Sequence, residues 1–364
     1  MYSFEPSDEQ KMLVDAIKRY STSNLRPAAH DADEEGQYSP DLIEKGWELG
    51  FLQASIPETY GGFGERSAVT GVLAAEELSW GDLAGAMAVL TPGLFALPIL
   101  LAGSEEQKLK FLPPIVEGEW KPNTAAFLEP HYDFDPYELK TVALENDGGY
   151  ILNGEKTYVP YAKEADVMVV YARLGDKTQG FIVPNKAAGL TIGEHQKLLG
   201  IHALPVYPIK LENVQIPKED CISGQEGQNF RYILSALRIA IAAMALGVSR
   251  AAYEYSRDYA KEREVFGVKV AQKQAIAFML AEMATEIEAI RLLTWEAAWM
   301  MDQGKEEADK QAYLAQVGAA DMAMMVTDRA VQILGGHGYI REHPVELWMR
   351  NGRGFATLTG LTMV

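Results

Sequence analysis

Hydrophobic spacing switches twice along this 364-residue chain, from helical to alternating and back to helical, and that order limits the architectures open to it. Up to about Trp120 the pattern is helical: residues 41–50 place apolar and polar side chains at helical spacing and end in glycine. Ser104-Glu-Glu-Gln107 has the form of a capping box, and Pro113-Pro114 closes the helix that follows. Residues 123–216 read as β. Lys140-Thr-Val-Ala-Leu and Tyr150-Ile-Leu-Asn flank a glycine-rich turn and predict a hairpin. Short apolar strands are predicted over residues 167–172, 181–183 and 207–214. From about Asn229 the helical period returns. Ile276, Met279, Leu280, Met283, Ile287 and Ile290 form one stripe, and short glycine links at Gly304 and Gly335-Gly336 predict antiparallel packing.

Residues 83–103 carry no charge and are long enough to cross a membrane. Pro92 and Pro98 break such a span, so two shorter buried helices hinged at Thr91-Pro92-Gly93 are expected, with no membrane span. With 33 Lys+Arg against 51 Asp+Glu, the net charge of −18 repels nucleic acid and anionic lipid as general partners. Cys221 is the single cysteine, which suits a reducing cytoplasm and a packing role. The opening Met1-Tyr-Ser-Phe-Glu-Pro lacks the basic and apolar regions of a secretory signal. No His/Cys cluster has metal spacing, and His337 and His343, six apart, do not share a helical face. No Gly-x-Ser-x-Gly elbow is present. Gly335-Gly336-His337-Gly338 lacks dinucleotide spacing and reads as a tight turn that a ligand could approach closely.

Three groups of residues together resemble the acyl-CoA dehydrogenase family. The first is Ile56-Pro-Glu-Thr-Tyr-Gly-Gly-Phe-Gly64 with Glu76-Glu-Leu; the second is Gly103-Ser-Glu-Glu-Gln-Lys with Phe111-Leu-Pro-Pro and Gly118-Glu-Trp120. The third is Arg263-Glu-Val-Phe266-Gly267 with Gln274, then Gln332-Ile-Leu-Gly335-Gly336-His-Gly338-Tyr339. The resemblance implies a mainly α fold with a central β domain. Its parts are an N-terminal helical domain (1–120), a middle β-barrel-like domain (121–222) and a C-terminal four-helix bundle (223–364). It also implies FAD, an acyl-CoA ligand, oligomers built through the C-terminal bundles and an electron-transfer flavoprotein as acceptor. In such enzymes a glutamate removes the α-proton of the thioester while flavin accepts the β-hydride, which requires an ionised carboxylate.

This chain departs from that pattern where the base belongs. After Met349-Arg350-Asn351, Thr359 occupies the position of the usual glutamate, and a neutral hydroxyl is no base near neutral pH. A branch of the family places the base just before an arginine on a C-terminal helix; here that residue is Leu237, before Arg238, a candidate for orienting groups in a pocket. The small-residue loop beside flavin reads Leu128-Glu129-Pro130-His131-Tyr132-Asp133-Phe134-Asp135, and the Trp-x-Thr against the ring reads Tyr158-Val159-Pro160. Leu361 and Met363 replace the Thr and Gln that help hold FAD phosphates, and the sequence ends several residues short of the usual closing helix. By contrast, Arg263, Phe266, Gln274, Gln332, Gly335 and Gly336 match the positions that reach across to a neighbour's FAD. The resemblance therefore implies the non-catalytic subunit of a heteromeric (α2β2) enzyme, a type known from bacterial steroid side-chain degradation, completed by a Glu-bearing subunit. A self-sufficient enzyme with a relocated base and a flavin-free acyl-CoA-binding scaffold are the alternatives.

Overall fold

The computed structural model describes residues 5–222 and 228–364; the expectation resting on Met1 to Phe4 lies outside them. The N-terminal part is helical. α1 (Asp8–Tyr20) starts with a capping box on Ser7 and runs through a π-turn (Ser21–Leu25) into α2 (Arg26–Glu35). Then come α3 (Pro40–Trp47), α4 (Phe51–Ala54), α5 (Ala68–Gly81), α6 (Leu83–Leu90), α7 (Gly93–Ala102), α8 (Glu105–Phe111) and α9 (Pro113–Val116). The uncharged stretch does form two buried helices, α6 and α7, bent by 49° at Thr91-Pro92-Gly93. The capping box at Ser104 opens α8; the two prolines end it and also start α9, because proline suits the first helical turn.

The middle strands are β1 (Thr124–Ala126), β2 (Val142–Asn146), β3 (Gly149–Pro160), β4 (Val167–Leu174), β5 (Lys177–Pro184), β6 (Leu190–Ile192) and β7 (Val206–Pro217). They form one mixed sheet in the order β1-β4-β2-β3-β7-β6, with β5 on the other side of β4. β1 and β2 both run parallel to β4, and the predicted β2–β3 hairpin is antiparallel with Asn146 opposite Gly149. Leu152, Val170, Phe181 and Val214 fill the core of this unit, and Cys221 is buried beside it.

The C-terminal part is α10 (Phe230–Glu262), a two-residue hairpin of β8 (Glu264–Val265) and β9 (Val268–Lys269), α11 (Gln274–Asp302), α12 (Ala308–Leu334) and α13 (Val345–Gly352). A 3₁₀ turn, Gly335–Tyr339, follows α12. α10 is apolar and long enough to cross a membrane, but most of that stretch is buried inside the protein. Its Ala-rich face meets α5 so closely that a Cβ at Gly247 would overlap Ser79 Oγ and the Glu76 carbonyl. Charge locks the same junction. Arg250 of α10 donates to Glu76 (2.9 Å) and in a fork to Glu77 (2.7 Å), while Arg291 of α11 reaches Glu76 at 3.0 Å.

Burial pushes the phenols of Tyr20, Tyr38, Tyr161 and Tyr171 upward. Free phenols ionise near pH ~10. Above that pH only the unfolded chain loses these protons, so the folded state loses stability as pH rises. The midpoint of urea unfolding is therefore expected to hold steady up to about pH 9 and to fall beyond about pH 10, with the exposed phenols ionising first and a further rise in phenolate absorbance only as the chain unfolds.

Candidate functional site

Three chain segments meet at one end of the C-terminal helices: the end of α10, the start of α11 and the end of α12. Val270 N–H donates to the Arg263 carbonyl (2.9 Å), which folds the β8–β9 hairpin back toward α10 and places Gln274 at the first position of α11. Tyr259 of α10 pairs with His337 Nδ1 at 2.9 Å and so joins the turn after α12 to the same end. Arg263, Phe266, Gln274, Gln332, Gly335 and Gly336 are all exposed here. The structure thus gathers the hairpin and the glycine turn, the two parts that sequence order leaves far apart.

Phe266 is the least expected of them. Phe266 and Gly267 form the two-residue loop between β8 and β9, with φ of 57° and 79°. Both lie in the left-handed region, as a type I′ turn requires, and for phenylalanine that costs about 1–2 kcal/mol. The ring is nevertheless 92% exposed, with only the Lys273 ammonium near its face at 5.9 Å, so little within the chain offsets the cost. Gly335 has φ 59° and ψ −128°, a conformation reserved for glycine. A Cβ on Gly335 or Gly336 would meet nothing within 4 Å, so both present bare main chain to an open surface. An exposed guanidinium, an aromatic face and bare backbone amides fit a flat ligand carrying a pyrophosphate.

A second region is largely closed. Phe127, after β1, packs edge-on against Phe134 and Tyr171, both at 5.4 Å, and at a tilt against Phe230 of α10 at 6.0 Å. Residues 358–364 lie against this cluster, with Gly360 touching Phe127 and Val364 touching Gly71. Arg66 donates to the Val364 main-chain oxygen at 2.7 Å. Tyr158 N–H, two residues before Pro160, donates to Gln196 Oε1 at 3.0 Å. Part of the same-chain flavin bed that the resemblance assigns is thus paired or covered within the chain, with Leu128 buried and the Tyr158 amide taken, while His131, Tyr132 and Asp133 of the same loop stay exposed. Thr359 is half-buried and its hydroxyl accepts from Gln316 of α12; Leu237 is buried in α10. Arg238 stacks over Tyr313, 4.9 Å from its centroid. A narrow cavity of about 60 Å³ remains beside Met363 and Val364, lined also by Glu65, Ser67, Gly93 and Leu97.

Under the loop of residues 128–135 lies a buried ion pair. Lys156 of β3 donates to Glu129 Oε1 (2.9 Å) and to the Phe127 carbonyl (3.0 Å), and Glu129 also accepts from the Thr141 and Lys140 amides, both at 2.8 Å. Burial lowers Lys156 to about 8. Burial alone would raise Glu129, but the Lys156 ammonium and the Thr141 and Lys140 hydrogen bonds outweigh it and hold the carboxyl below its usual range.

Sequence reading missed one further cluster. His337 and His343 are indeed not on one helix, but the 3₁₀ turn stacks their rings 5.3 Å apart at 12°. Tyr255 and Tyr259, one helical turn apart on α10, each hold one Nδ1, at 2.7 and 2.9 Å. The i, i+4 tyrosine spacing was a visible signal; the turn that delivers the histidines was not. Among the described residues no group of three or more His, Cys, Asp or Glu could hold a metal ion.

Comparison with known proteins gives the fold its family. Models of the N-terminal, middle and C-terminal domains of acyl-CoA dehydrogenase match residues 7–119, 124–214 and 228–364. The chain belongs to the acyl-CoA dehydrogenase family, which groups flavin-dependent oxidoreductases. Butyryl-CoA dehydrogenase from Megasphaera elsdenii superposes with a TM-score of 0.88 at 34% identity, covering 100% of this chain and 96% of that one. A PigA structure solved as an FAD complex superposes with a TM-score of 0.89 at 25% identity, covering 99% and 96%. The CarC subunit of the caffeyl-CoA reductase–Etf complex of Acetobacterium woodii is 33% identical, covering 98% of this chain and 96% of its own length.

Proposed function

We propose that this chain is the subunit of a heteromeric acyl-CoA dehydrogenase that lacks its own base and lends half of a FAD site to a Glu-bearing partner. The observation that carries this reading is the contrast between its two surfaces. Arg263, Phe266, Gln274, Gln332, Gly335 and Gly336 stand exposed and without intrachain packing to explain them, while the same-chain bed around Phe127, Tyr158 and residues 358–364 is filled. Bound FAD supplies the hydride acceptor for α,β-dehydrogenation of the acyl-CoA thioester. Arg263 offers a fork of N–H donors to a pyrophosphate, Phe266 an apolar face, and Gly335 and Gly336 room for close main-chain approach. The partner subunit's glutamate takes the α-proton, a step that Thr359 and Leu237 cannot perform. An electron-transfer flavoprotein fits as acceptor, in line with the Etf complex in which CarC is named. With its buried lone cysteine and acidic surface the chain suits the cytoplasm, and its units correspond to residues 1–120, 121–222 and 223–364.

The test is flavin content. The full-length chain, purified alone and co-expressed with a Glu-bearing relative, is compared by visible flavin absorbance and acyl-CoA-dependent reduction. Little FAD alone and full occupancy in the complex is the expected result. Full occupancy with turnover by the lone chain defeats the proposal. One observation favours a self-sufficient enzyme: the Glu65 carboxylate lines the cavity beside Met363. Loss of lone-chain turnover in Glu65→Gln would select that reading.

A further inference from the structure

We propose that Tyr255, Tyr259, His337 and His343 form a positioning joint that fixes the Arg263–Phe266 hairpin relative to the Gly335-Gly336 turn. The inference rests on the reading that these two segments act together as the lent FAD half-site.

The two segments are 69 or more residues apart in sequence, and their spacing in the fold must be set by something rigid, since a half-site displaced by an ångström loses its ligand contacts. Gly335 and Gly336 have no side chains with which to anchor themselves. Their neighbours do the anchoring. Gly338 packs its backbone under α12, where a Cβ would stand 2.5 Å from the Val331 carbonyl. His337 reaches the other way, to Tyr259 on α10. One helical turn beyond Tyr259, the Arg263 N–H donates to the Tyr259 carbonyl at 2.9 Å, and the hairpin begins. A single tyrosine is thus bonded to both halves: by its hydroxyl to the glycine turn, by its carbonyl to the arginine.

The other pair braces the first. His343 stacks on His337 (5.3 Å, 12°) and stands edge-on to Tyr259 at 5.8 Å. Tyr255 holds His343 Nδ1 at 2.7 Å and lies edge-on to the buried Trp348 of α13 at 5.8 Å. In the Nε2–H tautomer of each ring the phenol donates and Nδ1 accepts, so both imidazoles are fixed in orientation as well as place. All four side chains are half-buried, within reach of α10, α12 and α13 but behind the exposed set. They touch no ligand position themselves; they act through Arg263, Phe266 and the two glycines.

The experiment measures FAD affinity by flavin fluorescence in the full-length chain assembled with the Glu-bearing subunit. Tyr259→Phe removes only the hydroxyl; His337→Leu keeps bulk and removes the acceptor; His337→Asn keeps a polar atom close to where Nδ1 stood. One net hydrogen bond predicts about 3- to 10-fold weaker FAD binding for Tyr259→Phe and for His337→Leu, with the double variant no worse than either single. His337→Asn is expected to bind within about twofold of the parent, a rescue that simple packing would not give. In the flavin-free chain, amide exchange at Gly335 to Gly338 should quicken in Tyr259→Phe and not in His337→Asn. Parent-like affinity in both Tyr259→Phe and His337→Leu, or a His337→Asn as weak as His337→Leu, overturns the joint. Arg263→Ala separates the two levels. If it too leaves FAD affinity unchanged, the half-site reading falls; if it weakens binding while Tyr259→Phe does not, only the joint falls.

Discussion

Lys156→Met is expected to destabilise the chain by about 3–5 kcal/mol, the cost of leaving a buried carboxylate without its cation. Both partners are almost wholly out of water: the Lys156 side chain is 0% and the Glu129 side chain 2% exposed. The ammonium has no other carboxylate among its hydrogen bonds, only the Phe127 carbonyl. The double variant Glu129→Leu/Lys156→Met should recover most of the loss, because an apolar pair has no charge to desolvate. It will not recover all of it, since the Lys140 and Thr141 amides lose their acceptor. The sign of the acid response follows from the lowered Glu129 value. Its contribution is complete above the unfolded carboxyl value of about 4.3 and is lost as pH falls through the folded one. Urea unfolding of the three proteins, at neutral and at acid pH, checks both statements; the double variant should show the shallower acid loss.

Acyl-CoA oxidation by the chain alone is expected to run at least about 10²–10⁴-fold slower than by a heteromer with a Glu-bearing subunit, the range a positioned general base contributes, with the low FAD content of the lone chain adding to the loss. A threonine hydroxyl at position 359, already accepting from Gln316, is neutral and far too weak a base for the work near pH 7. Two controls separate chemistry from assembly. Thr359→Ala in the heteromer should leave turnover within about twofold, since the side chain is given no part in proton transfer. Glutamine in place of the partner subunit's glutamate should remove turnover while FAD stays bound. Steady-state rates with a fixed acyl-CoA, together with flavin content, decide the matter; a fast lone chain would show that the base lies in this polypeptide.

Much of the fold was legible because its signals are local. The proline-hinged α6–α7 pair, the capping box at Ser104 and the hairpin closing at Gly149 each depend on residues a few positions apart. The sheet order was not legible. β1 and β2 join β4 in parallel, a pairing set by distant contacts, and three-residue strands such as β1 and β6 are too short for an alternating pattern to show. The same division holds at the site. Arg263, Gly335 and Gly336 stood out by motif, yet the strained, bare Phe266 ring and the stacked His337 and His343 depend on how turns are aimed. The Lys156–Glu129 pair was hidden for another reason: a lysine in a strand reads as solvated until its neighbours are known.

Where α5 and α10 touch at Gly247, two helices are near enough to exclude even one methyl group, and Glu76 is clamped by Arg250 of α10 and Arg291 of α11. A seam so tight and so charged resists both sliding and hinging, so the two all-helical parts behave mechanically as a single block. Any breathing needed to admit or release a bound molecule is left to the sheet, to the tail of residues 358–364 and to the exposed rim around the β8–β9 hairpin and the glycine turn. Enlarging that glycine should therefore loosen the whole block and leave the rim's own geometry the last thing to change.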